Sequence, residues 1–144
     1  MKVTPGLCVA SIENSVAFYR DVLGFNVGFE MPGPDGKLAH ADVSRGEASV
    51  MFDRLDWIPE ESRSNLGNGT SLYFNVGDAD IDAYYASIRA AGTHIDQEIQ
   101  DQFWGDRSFT IHDPDGYHLS FAKSVRQVTQ TDMAQALAGM AATV

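Results

Sequence analysis

The chain has 144 residues, which suits a single domain with a buried core. Twenty acidic residues against ten Lys and Arg give a formal net charge of −10, which repels nucleic acid and anionic membranes. This negative charge either aids solubility or attracts a cationic ligand. No apolar run is long enough for a membrane span, no secretory leader is visible, and the single Cys8 excludes a disulfide framework. We therefore expect a cytoplasmic protein without nucleic-acid or membrane partners.

A strand and a helix open the chain. The apolar run over residues 3–10 predicts the strand, and apolar residues at helical spacing then predict a helix that Ser11 or Asn14 caps and Gly24 ends. Three further strands are predicted over residues 25–31, 37–45 and 47–53, because turn-forming residues separate them.

The second half of the chain repeats this order. A strand over residues 71–77 precedes a helix that Asp78 or Asp80 caps and Gly92 ends. Strands over residues 93–99, 107–112 and 117–123 follow. The repeat predicts an α+β fold built from two βαβββ modules, residues 3–53 and 70–123, in a single domain over residues 1–123.

Two segments lie outside the modules. The linker, residues 54–69, is rich in Pro, Ser, Asn and Gly and contains Trp57; a loop of this length is typically functional or flexible. The tail, residues 124–144, includes an Ala- and Met-rich stretch over residues 132–142 that favours a helix. The tail either packs on a partner subunit or frays.

Two segments of the sequence resemble the glyoxalase/bleomycin-resistance/extradiol-dioxygenase superfamily, whose members are also called vicinal oxygen chelate proteins. The first is Ser-Val-Ala-Phe-Tyr-Arg-Asp-Val-Leu-Gly-Phe at residues 15–25, and the second is Trp-Gly-Asp-Arg-Ser-Phe at 104–109 with Asp-Pro-Asp-Gly-Tyr at 113–117. The resemblance covers residues 3–123. It implies two curved half-barrel sheets, a homodimer, ligand sites on the concave faces and, in the enzymes, one divalent metal that four residues hold as a Lewis acid.

The resemblance places the four metal-ligand positions on Thr4, Met51, Ser71 and Ser120. A divalent cation favours imidazole or carboxylate ligands, and none of these side chains supplies one. The chain is therefore most similar to the metal-lacking, bleomycin-resistance-like members. We expect no cofactor, although the sequence leaves room for a metal elsewhere.

Strand alternation collects polar residues on the sheet face opposite the apolar one, as suits the wall of a ligand site. Trp104 either stacks on a flat ligand or packs on the helix of its own module. His40 has Asp42 as a possible partner, and Arg107 pairs with Asp106 or Asp113 or faces an anionic group of the ligand. The predicted ligand-binding residues are Trp104, Tyr73, His118, Ser120, Met51, Ser71, His40, Trp57 and Arg107.

These features predict a dimeric, metal-independent protein that binds and sequesters a small molecule, with a cationic antibiotic as one candidate. Two alternatives remain open. One is a metal-dependent lyase, isomerase or dioxygenase whose displaced site uses His40, His118 and either Asp42 or Asp53. The other is a module that assembles with other chains through its tail.

Overall fold

The computed structural model describes residues 1–142 and contains two separate four-stranded sheets. The first sheet has the order β1-β4-β3-β2 and the second the order β5-β8-β7-β6. In each sheet the first strand of the module lies parallel to the last, and the other neighbours are antiparallel. This arrangement confirms the predicted pair of βαβββ modules. The elements are β1 (Gly6–Val9), α1 (Ile12–Asp21), β2 (Asn26–Pro32), β3 (Leu38–Arg45), β4 (Ala48–Arg54), α2 (Glu60–Arg63), β5 (Ser71–Asn75), α3 (Ile81–Ala90), β6 (Ile95–Asp101), β7 (Asp106–His112), β8 (His118–Ser124) and α4 (Gln130–Ala142).

Local chemistry explains where the two long helices begin. Ser11 caps α1, since its side chain accepts the backbone N–H of Asn14 at 3.2 Å, whereas Asn14 itself lies inside the helix. Asp80, rather than Asp78, caps α3 by accepting the N–H of Ala83 at 3.0 Å. The first strand is shorter than predicted and begins at Gly6, because Pro5 has no N–H to extend the ladder.

The two modules share one hydrophobic core on the helix side of their sheets. Tyr19 and Phe52 from the first module and Phe109 and Phe121 from the second are almost fully buried within a single cluster. Aromatic contacts also cross between the modules: Phe25 meets Phe74 edge to face with ring centroids 5.8 Å apart. Because the core uses the helix side, the opposite face of each sheet remains available for function.

The turn between β7 and β8 joins the second module to the first. Asp113, which is 1% exposed, accepts a hydrogen bond from the Tyr19 hydroxyl at 3.1 Å. In the same turn, Asp115 accepts the backbone N–H of Ala10 at 2.8 Å, and the Tyr117 hydroxyl donates to the carbonyl of Cys8 at 2.8 Å. Burial raises the pKa of Asp113, against the hydrogen bonds that lower it. The turn therefore clamps the two modules together.

The linker and the tail both contain helical structure. The linker has a 3-10 turn, Leu55–Trp57, followed by α2. In the tail, Thr129 and Asp132 cap the start of α4 reciprocally, each side chain accepting the other's backbone N–H at 3.1 and 3.0 Å. No described residue of α4 is buried. The last two residues of the predicted tail lie outside the described part of the chain, and no helix over residues 1–142 is long and apolar enough to cross a membrane.

Candidate functional site

The faces of the two sheets turned away from the helices carry the polar residues. On the second sheet, Leu72 and Phe74 point toward the core, so Ser71 and Tyr73 point the other way. Ser71 lies directly opposite His118 on β8, and Tyr73 lies opposite Ser120. The hydroxyls of Ser120 and Thr110 are 2.9 Å apart and join β8 to β7. These residues form the second-sheet face, which brings together four of the predicted ligand-binding residues.

A hydrogen-bonded aromatic pair borders the second-sheet face. The Tyr73 hydroxyl donates to Asp106 at 2.6 Å, and the indole N–H of Trp104 donates to the Tyr73 hydroxyl at 3.2 Å. Tyr73 is 50% exposed and Trp104 is 38% exposed, so both rings remain accessible. Burial and the hydrogen bond to Asp106 raise the pKa of Tyr73. We call these three residues the Tyr73–Trp104 cluster.

The loop that carries Trp104 is anchored by its backbone. The N–H of Gln102 donates to the carbonyl of Asp106 at 2.6 Å, which closes the loop. Gly105 has a φ of +99°, and a side chain there would clash with the carbonyl oxygen of Arg126. The Phe103 ring also meets the Trp104 ring edge to face at 5.0 Å. The indole N–H of Trp104 thus lies beside Tyr73, on the polar side of the second sheet, and stacking of its ring on a flat ligand stays a prediction.

The first sheet presents a more acidic face. His40 and Asp53 are cross-strand neighbours, and the Nδ1 atom of His40 lies 2.8 Å from a carboxylate oxygen of Asp53. Burial and the nearby charge of Asp53 raise the pKa of the Cys8 thiol. Asp42 does not pair with His40 as the sequence suggested, because its carboxylate instead accepts the backbone N–H of Phe29 at 3.2 Å.

The predicted metal-ligand positions offer donors that fit a divalent cation poorly. Met51 supplies a thioether, and the hydroxyl of Thr4 lies 3.4 Å from that of Ser49. Ser71 and Ser120 supply hydroxyls on the second sheet. His40 lies on the first sheet and His118 on the second, so the displaced-site alternative requires the two polar faces to meet. Over residues 1–142, no three His, Cys, Asp or Glu side chains form a group able to hold a metal ion.

Two predicted site residues lie away from these faces. Arg107 is on the helix side of β7, where it pairs with Asp82 at 2.8 Å and Asp101 at 2.9 Å. The expected pairing with Asp106 or Asp113 is therefore wrong. Alternation places Arg107 and Asp106 on opposite faces, and Asp113 is buried in the turn after β7, where it accepts a hydrogen bond from Tyr19. Trp57 is 59% exposed in the linker's 3-10 turn and belongs to neither face in this chain.

Asp106 is the functional candidate that the sequence treatment missed. The sequence suggests Asp106 only as a partner for its neighbour Arg107. Its parity on β7 matches that of Thr110, whose hydroxyl lies beside Ser120 on the polar face, and this parity is the signal that identifies it. Its contact with Tyr73, 33 residues away, depends on how β5, β8 and β7 pair.

The chain consists of two paired βαβββ modules, and the polar faces of their sheets are open. This architecture defines the class of protein to which the chain is compared. The sequence model of the Glyoxalase/Bleomycin resistance protein/Dioxygenase superfamily matches residues 3–121, and the chain belongs to this superfamily. An uncharacterized protein of Mycobacterium bovis is 30% identical over 141 residues, covering 94% of this chain and 91% of its own. A bleomycin resistance protein of Geobacillus stearothermophilus is 27% identical and covers 85% of this chain and 96% of its own. The crystal structure of TioX from Micromonospora sp. ML1 matches with a TM-score of 0.68 at 27% identity, covering 87% of this chain and 99% of that one.

Proposed function

We propose that this protein binds a cationic small molecule that carries a flat aromatic group, and that it acts by sequestering this ligand. An antibiotic of the bleomycin kind is the leading candidate. The observation that carries the proposal is the Tyr73–Trp104 cluster: two accessible aromatic rings fixed beside a carboxylate.

The cluster suits such a ligand for two physical reasons. A flat ring that stacks on Trp104 gains about 0.5–1.5 kcal/mol beyond the area that it buries. A positive charge near the rings and the Asp106 carboxylate adds about 0.5–2 kcal/mol, depending on how far it is desolvated. Because hydrogen bonds already hold Trp104 and Tyr73, binding costs little side-chain entropy.

Two wider properties support the proposal. The net charge of −10 attracts cations over the whole surface. A relative that covers 85% of this chain is a bleomycin resistance protein, and the likeness extends over the strands that form the sheet faces. Sequestration also requires no reaction, in keeping with Thr, Met and Ser side chains at the positions where the superfamily's enzymes hold their metal. We therefore propose a metal-independent binder.

We further propose that the binder is a homodimer whose ligand groove lies between two copies. Neither sheet closes into a barrel, so each polar face is open on the side away from the core. A second copy would set its first-sheet face, with His40, Met51 and Asp53, against the second-sheet face, with Ser71, His118 and Ser120. The ligand would then be enclosed by both, and the acids of the first sheet would add to the attraction for a cation.

The chain's two tryptophans allow a direct test. The Trp57→Phe variant leaves Trp104 as the only tryptophan, and titration with bleomycin should quench its emission. In the matched Trp104→Phe variant the remaining Trp57 should report little change. Calorimetry should show that Trp104→Ala binds about 5–30-fold more weakly, which corresponds to about 1–2 kcal/mol.

Three results would contradict the proposal in its separate parts. Absence of binding to bleomycin and phleomycin, with no protection of cells that express the protein, would reject the sequestering role. Stoichiometric zinc, nickel, manganese or iron in protein purified without chelators would reject metal independence. A monomer by light scattering at micromolar concentration, with and without ligand, would reject the shared groove.

A further inference from the structure

A cavity of 410 Å³ lies on the other side of the second sheet, where the two modules meet. We call it the junction pocket. Its walls come from both modules, since the turn between β3 and β4 forms one side and the segment after β5 forms the other. The lining residues used below are Phe25, Arg45, Ala48, Phe74, Tyr84 and Phe121.

The floor of the junction pocket is aromatic. Phe74 stacks on Phe121 with centroids 5.1 Å apart and an interplanar angle of 15°, and Phe25 meets Phe74 edge to face at 5.8 Å. The Tyr84 ring stands edge to face against Phe121 at 5.2 Å. Phe74 and Tyr84 are only half-buried, so a flat apolar group can lie against rings that are already in place.

Arg45 supplies a positive charge at the mouth of the junction pocket, beside its aromatic floor. Its Nη1 atom donates to the carbonyl of Leu23 at 2.7 Å, and its guanidinium lies over the Tyr84 ring at 4.6 Å. Over residues 1–142 no carboxylate lies within ion-pair distance of it, in a chain with twice as many acids as Lys and Arg. Four other arginines each have such a partner: Arg20, Arg54, Arg89 and Arg107.

We propose that the junction pocket binds a compact aromatic carboxylate, with its ring against Phe25 and Phe74 and its carboxylate on Arg45. A guanidinium presents several N–H donors in a planar fork that matches a carboxylate, and among residues 1–142 only the Nη1 donor of Arg45 has a backbone partner. The cavity volume lies within the range of about 300–1,000 Å³ that small-molecule sites occupy.

This site is separate from the one proposed above and takes a ligand of opposite charge. Tyr73 and Phe74 are successive residues of β5, so their side chains point to opposite faces of the second sheet. The carboxylate of Glu47 also lines the pocket mouth and opposes an anion. The two charged residues of the mouth therefore predict effects of opposite sign when each is neutralised.

The test uses the full chain with 2-naphthoate as the probe and its neutral amide, 2-naphthamide, as the matched ligand. Calorimetry should give a Kd for 2-naphthoate about tenfold lower than for the amide, because the charge-assisted hydrogen bonds are lost with the charge. Backbone amide shifts should be largest over residues 46–48 and 75–79 and small over residues 104–106.

Variants separate the pocket from the rest of the fold. Arg45→Gln should weaken 2-naphthoate about tenfold, whereas Glu47→Gln should tighten it. Arg45 also donates to the Leu23 carbonyl, so its replacement changes a structural contact as well as the charge. A second variant, Ala48→Phe, therefore fills the pocket from its wall. It should abolish probe binding and leave the bleomycin titration of Trp104 unchanged. Four results would each overturn the proposal. The first two are equal affinity for the two probes and undiminished probe binding by a folded Ala48→Phe variant. The other two are amide shifts centred on the polar sheet faces and no binding at millimolar probe concentration.

Discussion

Replacing Tyr19 by phenylalanine removes one hydroxyl from the clamp between the modules and leaves the ring in place. That hydroxyl donates to the Oδ2 atom of Asp113 at 3.1 Å, and both residues are at most 1% exposed. The Oδ1 atom already accepts the N–H groups of Asp115 and Tyr117, each at 3.0 Å. The variant therefore leaves a buried carboxylate oxygen without its protein partner.

The expected cost follows from the charge of the acceptor. Hydrogen bonds to charged groups contribute about 1.5–3 kcal/mol to the free energy of unfolding. For a chain of this size, that loss lowers the melting temperature by about 5–10 °C. Tyr117→Phe is the matched control: its hydroxyl donates to the neutral carbonyl of Cys8, so its loss should cost only about 0.5–1.5 kcal/mol.

The cost of Tyr19→Phe should also depend on pH. Burial raises the folded pKa of Asp113 above its unfolded value, so its contribution to stability is present at acid pH and is lost as the pH rises through the raised pKa. The Tyr19 hydroxyl lowers this pKa by stabilising the charged form, and the variant therefore raises it further. The destabilisation should therefore be smaller at acid pH, where Asp113 is protonated, than at neutral pH, where its carboxylate is charged.

Urea unfolding followed by circular dichroism, at one protein concentration and at pH 4, 5.5 and 7, measures this difference. The reasoning fails if Tyr19→Phe changes the free energy of unfolding by less than about 0.5 kcal/mol at pH 7, which is the range of ordinary surface substitutions. It also fails if the effect is as large at pH 4 as at pH 7, or if Tyr117→Phe shows the same pH dependence.

Three further comparisons test other parts of the structure. Tyr73→Phe should weaken bleomycin binding about 2–10-fold and lower the order of the Trp104 side chain, since one hydroxyl connects the cluster, yet it should leave the melting temperature nearly unchanged. Gly24→Ala should destabilise the protein more than Gly92→Ala, because both glycines have a positive φ but only Gly24 has a guanidinium 3.0 Å from an added methyl group. Deleting residues 130–144 should shift the melting temperature by less than about 2 °C, because no described residue of the final helix is buried.

Each of these has a clear contrary result. Unchanged calorimetric affinity in Tyr73→Phe would show that the hydroxyl plays no part in holding the cluster. Equal melting temperatures for Gly24→Ala and Gly92→Ala would show that the contact with Arg45 carries no cost. A large loss of stability, or dissociation of an assembled protein, upon removing the tail would show that the final helix packs on a partner subunit.

Local signals allowed much of the fold to be predicted. Gly24 and Gly92 end the two helices with φ values of +74° and +82°, and side-chain acceptors lie at both helix starts. These features act over a few residues, and therefore they can be read without knowing what the chain packs against. The repeat of the same order of elements then indicated two modules.

The candidate site was only partly predictable, for a reason that Asp106 and Arg107 illustrate. Strand alternation places neighbours on opposite faces, but it does not say which carboxylates approach each one. Arg107 was expected beside Asp106 or Asp113 and instead lies against Asp82 of α3 and Asp101 of β6. His40 similarly pairs with Asp53 across the sheet rather than with Asp42 on its own strand.

The sequence by itself determined the pair of βαβββ modules and the polar and apolar faces of their strands, and through the family resemblance it predicts that Thr4, Met51, Ser71 and Ser120 occupy the metal-ligand positions. These follow from residue periodicity, turn chemistry and the quoted motifs. Only the tertiary structure decided that Tyr73 would join Asp106 to Trp104 beside an open face. It also decided that Arg45, which has no carboxylate partner among residues 1–142, would border a pocket between the modules. Such contacts join residues far apart in the chain, so they depend on strand pairing and module packing rather than on local propensity.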